Sequence, residues 1–203
     1  MELNDHSYIS DDSHEQDPRA ELFTFFALLM RYPESTFFDR EVLDALQGLL
    51  SHCRLTDAMD RLAAWQGERN MDELLDDVQV AYTHLFINSV PHVIAPPYAS
   101  VYMDGDGDLQ GKTTEKIRQW YLENGFDVVE KGEPADHIRY QLEFMAALFA
   151  EGREETAADF NRTVFIPWFK RFLHRFDETP EASRHPFYEA SLQLIHTIVK
   201  EEQ

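Results

Sequence analysis

The chain has 203 residues, 43% of them hydrophobic, and a formal net charge of −20. That length supports a substantial core in one domain or two small lobes. The charge argues against non-specific nucleic-acid binding, which needs basic patches, and against an anionic membrane surface; it favours a basic peptide or protein, or serves solubility alone.

Residues Met1 to Gln16 are acidic and polar and are expected to be frayed or disordered. They lack the basic and apolar regions of a secretory signal, and the run Leu22 to Met30 is too short to span a bilayer, so the expected location is the cytoplasm. Asp17-Pro18 reads as an N-cap followed by proline at the first helical position, opening a helix that stops before Pro33. A second helix fits Phe38 to His52, with Val42, Leu43, Leu46, Leu49 and Leu50 on one face. Cys53 is the only cysteine, which excludes an intramolecular disulfide and a cysteine-based zinc site. Thr56 caps a short third helix to Trp65. Asn70-Met71-Asp72-Glu73 is a capping box that opens a fourth helix to Phe86.

A long segment to Tyr102 follows. It holds Ala95-Pro96-Pro97-Tyr98-Ala99-Ser100-Val101-Tyr102, and its two prolines forbid regular helix. It is too apolar for a disordered linker, so it is expected to pack against this chain or a partner. Thr113 or Thr114 then starts a helix ending at Asn124-Gly125. Glu133-Pro134 starts the next, which runs to Glu151-Gly152 and is apolar all round between Phe144 and Ala150, as a buried helix is. Glu154 to His174 is helical with a kink or restart at Pro167. His185-Pro186 begins a final amphipathic helix. Val90 to Ile94 and Asp127 to Val129 are short extended candidates at best, so the fold class is all-α. Residues 17–203 form the expected single domain, with an N-terminal lobe at 17–110 and a C-terminal lobe at 111–203.

Three clusters bear on chemistry. Asp104, Asp106, Asp108 and Glu115 echo a calcium loop, but Leu109 stands where the sharp turn wants glycine and Lys112 where an oxygen ligand is expected; a solvated Gly–Asp turn competes with the calcium reading. Glu133, Asp136 and His137 place two acids beside a histidine. Neighbours on a helix do not face each other, so Asp136 is poorly placed to orient His137; as a first-turn carboxylate it would complement free amides instead. Tyr82, Phe86, Tyr98 and Tyr102 fit either a plain core or the wall of a peptide groove. Phosphate-loop, nucleophile-elbow and His-Glu-x-x-His motifs are absent, and no catalytic or metal-ligating residue is assigned.

Tyr82-x-x-Leu85-Phe86, then Pro97-Tyr98-x-Ser100-x-Tyr102, then Glu133-x-x-Asp136-His137-Ile138 before Leu142-Glu143-Phe144-Met145 together resemble the TorD/DmsD family of cytoplasmic redox-enzyme maturation chaperones. The resemblance implies a two-lobed helical bundle with no catalytic activity and no cofactor of its own. It implies binding of the twin-arginine signal peptide of a molybdenum-containing oxidoreductase. The apoenzyme would be held for molybdopterin guanine dinucleotide insertion and export delayed until folding is complete. It further points to molybdenum-cofactor biosynthesis proteins and the twin-arginine translocon as partners. Both a monomer and a domain-swapped homodimer stay open, as does weak GTP binding. The family's peptide-binding positions carry over onto Tyr82, Leu85, Phe86, Pro97, Tyr98, Asp136 and His137, with Ser100, Tyr102 and Glu133 completing the motif. Tyr82 and Tyr98 stand where some members have Trp. The client's arginines are expected to meet carboxylates, Asp136 first, and its apolar segment to bury against Leu85, Phe86 and Tyr98. The competing readings are a helical adaptor whose motif helices serve packing only, and a metal- or nucleotide-dependent enzyme using Asp136, His137 and the Asp–Gly loop.

Overall fold

The computed structural model describes residues 17–89, 93–105, 111–128 and 132–202. The helices in chain order are α1 (Pro18–Leu29), α2 (Arg40–His52), α3 (Thr56–Gln66), α4 (Met71–Tyr82), α5 (Ala99–Met103), α6 (Lys112–Glu123), α7 (Ile138–Ala150), α8 (Glu154–Phe160), α9 (Ile166–Asp177) and α10 (Pro186–Glu201). The described residues contain no strand; Tyr98 and His137 form one isolated antiparallel bridge. The expected N-terminal tail, most of the Asp–Gly turn, and the extended candidates at Val90–His92 and Val129 lie outside the described residues. Among those described, no helix is long and apolar enough to cross a membrane.

Several helix starts follow their caps, whereas α3 starts at Thr56 itself, after Leu55, with no side-chain cap bond. The Asp17 carboxylate accepts the Arg19 amide at 2.9 Å, with Pro18 in the first turn. Asn70 and Glu73 make the reciprocal capping box that opens α4. Gly111 precedes α6, and the cap there comes from Asp104, whose carboxylate accepts the Thr113 amide at 3.0 Å. A Cβ at position 111 would collide with that carboxylate, so this approach requires glycine or a displaced Asp104.

Two π turns interrupt the helices. The fourth helix leaves α geometry after Tyr82 and passes through a π turn, Thr83–Ile87, in which Asn88 donates to the Thr83 carbonyl at 2.8 Å. The restart expected at Pro167 is a second π turn, Asn161–Phe165, between α8 and α9. Proline has no amide to donate and clashes with the carbonyl four residues back, so the ladder widens just before it. The same turn directs the buried Asn161 amide onto the Val199 and Glu202 carbonyls at 2.8 and 3.0 Å, closing the end of α10.

Apolar burial organises the bundle. α1 packs along α7, where the Phe23 and Phe149 rings lie 5.2 Å apart. α10 packs against α1, α2, α3 and α9, and its Phe187 meets Phe38 edge-on. One apolar core runs through all of these elements, so helices from both sides of the expected lobe boundary near residue 110 bury side chains together.

Candidate functional site

The loop after α4 is covered by this chain itself. From α9, Arg175 donates to the Ile94 and Val93 carbonyls at 2.6 and 2.7 Å, and Arg171 to the Tyr102 carbonyl at 2.7 Å. The segment expected as loop through Tyr102 turns helical at Ala99, because Pro96 and Pro97 restrict only what lies at and before them.

The α7 motif begins later than expected. The His137 amide donates to the Pro134 carbonyl at 3.0 Å, closing a turn, and α7 starts at Ile138 with His137 as its N-cap. Asp136 therefore lies outside the helix and does not complement its dipole from the first turn. Its carboxylate is fully buried and crosses to other elements, accepting the Ser100 amide at 2.7 Å and the Thr114 hydroxyl at 2.9 Å. Its carbonyl accepts the Ala99 amide at 3.2 Å and the Gln141 side chain at 2.7 Å. The Ile138 amide donates to the Pro97 carbonyl at 2.9 Å, and Trp168 on α9 donates to Gln141 at 3.0 Å. Asp136 thus joins α5, α6 and the start of α7 at one buried polar junction.

The motif side chains divide by exposure. Leu85 is fully buried, and Tyr82 and Phe86 are 6% and 2% exposed. The Phe86 ring sits among Tyr82, Tyr188 and Phe172, and the Tyr82 hydroxyl donates to the Met30 carbonyl at 3.4 Å. These three occupy the core in this conformation. Pro97 and Ser100 are also buried; among the described residues the Ser100 hydroxyl has no hydrogen-bond partner. Tyr102 is half-buried and stacks on Trp168 at 6.1 Å, its hydroxyl likewise unpartnered. Tyr98 and Glu133 face outward: Tyr98 is half-buried, Glu133 is exposed, and the Tyr98 hydroxyl donates to the Glu133 carboxylate. Burial and that carboxylate push the Tyr98 phenol well above its ordinary pKa. Thus Asp136, Leu85 and Phe86 form the support, and Tyr98 and Glu133 are the motif's accessible polar tip. Thr114, Gln141 and Trp168 complete the junction. Gln141 carried a legible signal, a polar side chain on an otherwise apolar helix face; Thr114 and Trp168 carried none.

His137 is buried between Tyr98 and Tyr140, and its Nδ1 accepts the Arg139 amide at 3.2 Å. Burial, helped by Arg139, pushes its pKa down from 6.5 to about 3. The unfolded chain therefore takes up a proton below about 6.5 that the folded chain refuses until about 3. Stability should fall continuously as pH drops through that window. His185 and His196 shift the same way. The part due to His137 is the difference between the parent and His137→Asn, which keeps a cap acceptor without the titration. Urea unfolding across this range should show a flatter profile for the variant; parallel profiles would remove His137 from the account.

Asp104, first in the expected calcium loop, uses its carboxylate to cap α6; Asp106 and Asp108 lie outside the described residues.

A family model described as nitrate reductase delta subunit matches residues 38–178. The Tat proofreading chaperone DmsD of Salmonella paratyphi A is 34% identical over 125 residues, 61% of this chain and 59% of the relative. The chaperone protein TorD of Vibrio vulnificus is 30% identical over 151 residues, 68% of this chain and 66% of the relative. The matched stretches thus span between about three-fifths and two-thirds of the length of these relatives. A crystal structure of a candidate redox enzyme maturation protein from Archaeoglobus fulgidus superposes with a TM-score of 0.57 at 25% identity, covering 98% of this chain and 97% of that one. The all-helical fold, the ordered motifs and these matches agree: the chain belongs to the nitrate reductase delta subunit family, the TorD/DmsD family of redox-enzyme maturation chaperones.

Proposed function

We propose that this protein is a cytoplasmic chaperone that binds the twin-arginine signal peptide of a molybdenum-containing oxidoreductase. It holds the apoenzyme while molybdopterin guanine dinucleotide is inserted and delays export until folding is complete. It acts by binding, without catalytic turnover and without a resident cofactor. Its similarity to proteins named as chaperones favours this reading over a helical adaptor.

The observation that carries the proposal is the Tyr98–Glu133 pair. An exposed carboxylate, held by a tyrosine on a proline-stiffened loop, stands above a rigid buried junction. A client guanidinium can replace the Tyr98 hydroxyl as donor to Glu133, so that donor as well as acceptor carries a charge. The net charge of −20 steers a basic peptide towards the surface.

Tagged protein expressed in a host that respires anaerobically should co-purify a precursor molybdoenzyme, and deletion of the precursor's signal peptide should abolish recovery. Recovery that survives the deletion would reject signal-peptide recognition. Glu133→Gln should weaken purified signal peptide by roughly fivefold at most, the range of an exposed ion pair, mainly through slower association at low salt.

A further inference from the structure

The motif residues on α4 and its π turn point inward, so an apolar client segment meeting this helix in the observed conformation has to meet its other face. That face is not polar. Among the described residues the exposed large apolar side chains are Tyr32, Val80, Ile87, Met103 and Leu122, and three of these five gather here. Tyr32 and Val80, with Asp76, Gln79, Thr83, His84 and Asn88, line a surface groove of about 560 Å³, and Ile87 is exposed in the π turn beside it. Val80 is 69% and Ile87 55% exposed, which their burial against a partner would relieve.

The composition of the groove selects its occupant. Its lining contains the Asp76 carboxylate and no lysine or arginine, on a chain of net charge −20. Acidic peptides are disfavoured there, and a segment that combines apolar side chains with positive charge is complementary. Tyr82 ties the groove to the motif residues: its ring meets Tyr32 edge-on at 5.4 Å on one side and Phe86 at 5.1 Å on the other.

We propose that the groove between Tyr32 and the outer face Val80–Ile87 receives the apolar segment of a client peptide whose basic end engages Glu133. This inference rests on the client-binding reading above and deepens it. The inward residues Leu85 and Phe86 hold the face in shape, and the outward residues Tyr32, Val80 and Ile87 make the contact.

The test is calorimetric titration of the full chain with a synthetic peptide carrying paired arginines ahead of a Leu/Ala-rich segment. Val80→Glu and Ile87→Glu should each weaken binding by about tenfold, as loss of one buried apolar contact does. Added negative charge attracts the arginines, so such a loss must come from the apolar contact. Val80→Ser, which adds no charge, should lose affinity in the same direction, and Leu122→Glu, at an exposed apolar position on α6, should bind like the parent. Thermal melts matching the parent exclude misfolding, which the exposure of these positions disfavours. Parent-like affinity in the Val80 and Ile87 variants, with the parent binding well, would overturn the groove and leave the proposed function standing. Failure of the parent to bind would overturn both. A dimer in sedimentation that Val80→Glu dissociates, with peptide affinity unchanged, would assign the groove to a second copy of the chain and overturn the proposal.

Discussion

Asp136→Ala should lower the unfolding free energy by about 3 kcal/mol, the scale of a buried charged acceptor removed from donors that keep no other partner. The carboxylate is fully buried and accepts from the Ser100 amide and the Thr114 hydroxyl, so truncation orphans donors on α5 and α6 together. Asp136→Asn should lose about 1 kcal/mol, because its oxygen can accept from Ser100 while its amide donates to the Thr114 hydroxyl, which can also accept. Urea unfolding measures both. The sequence motif assigns Asp136 to the client's arginines, whereas the folded chain has already used both its oxygens. An Asp136→Ala protein of parental stability that no longer binds signal peptide would show that the carboxylate is a client ligand and that the junction holds without it.

Phe86→Ala should be at least as damaging, by about 3–5 kcal/mol, the range for truncating a buried phenylalanine. The ring is 2% exposed and has Tyr82 at 5.1 Å, Tyr188 at 5.0 Å and Phe172 at 6.3 Å, so its removal leaves a cavity between α4, α9 and α10 that rigid aromatic neighbours cannot easily fill. Calorimetric melting should show a large drop in Tm, with client binding lost in proportion to the unfolded fraction. A Phe86→Ala protein that melts like the parent yet fails to bind peptide would place this ring in the binding surface and contradict its assignment to the core.

Local rules were legible where the chain obeys them locally. Asp17-Pro18 and the Asn70–Glu73 box name the starts of α1 and α4, and they do so because the caps are satisfied by residues within one turn. Local signals put the start of α7 at Glu133-Pro134, but the deciding contacts are distant: Ile138 donates to Pro97, and Asp136 turns away to Ser100 and Thr114. The short α5 was hidden behind two prolines for the same reason, since its first amides are satisfied by Asp136 from elsewhere in the chain. The motif residues were found together in sequence, and the structure gathers them, but spacing alone does not separate an inward aromatic from an outward one. Tyr82 and Val80 are two residues apart; one is core and the other is 69% exposed.

Client recognition is the central claim, and the most direct measurement is titration of the parent chain with the paired-arginine peptide and with a counterpart in which both arginines are glutamine. The account predicts saturable binding of the first that weakens with salt, and a marked loss of affinity for the second with the apolar segment unchanged. Equal affinity for the two peptides, or no binding of either, would contradict it.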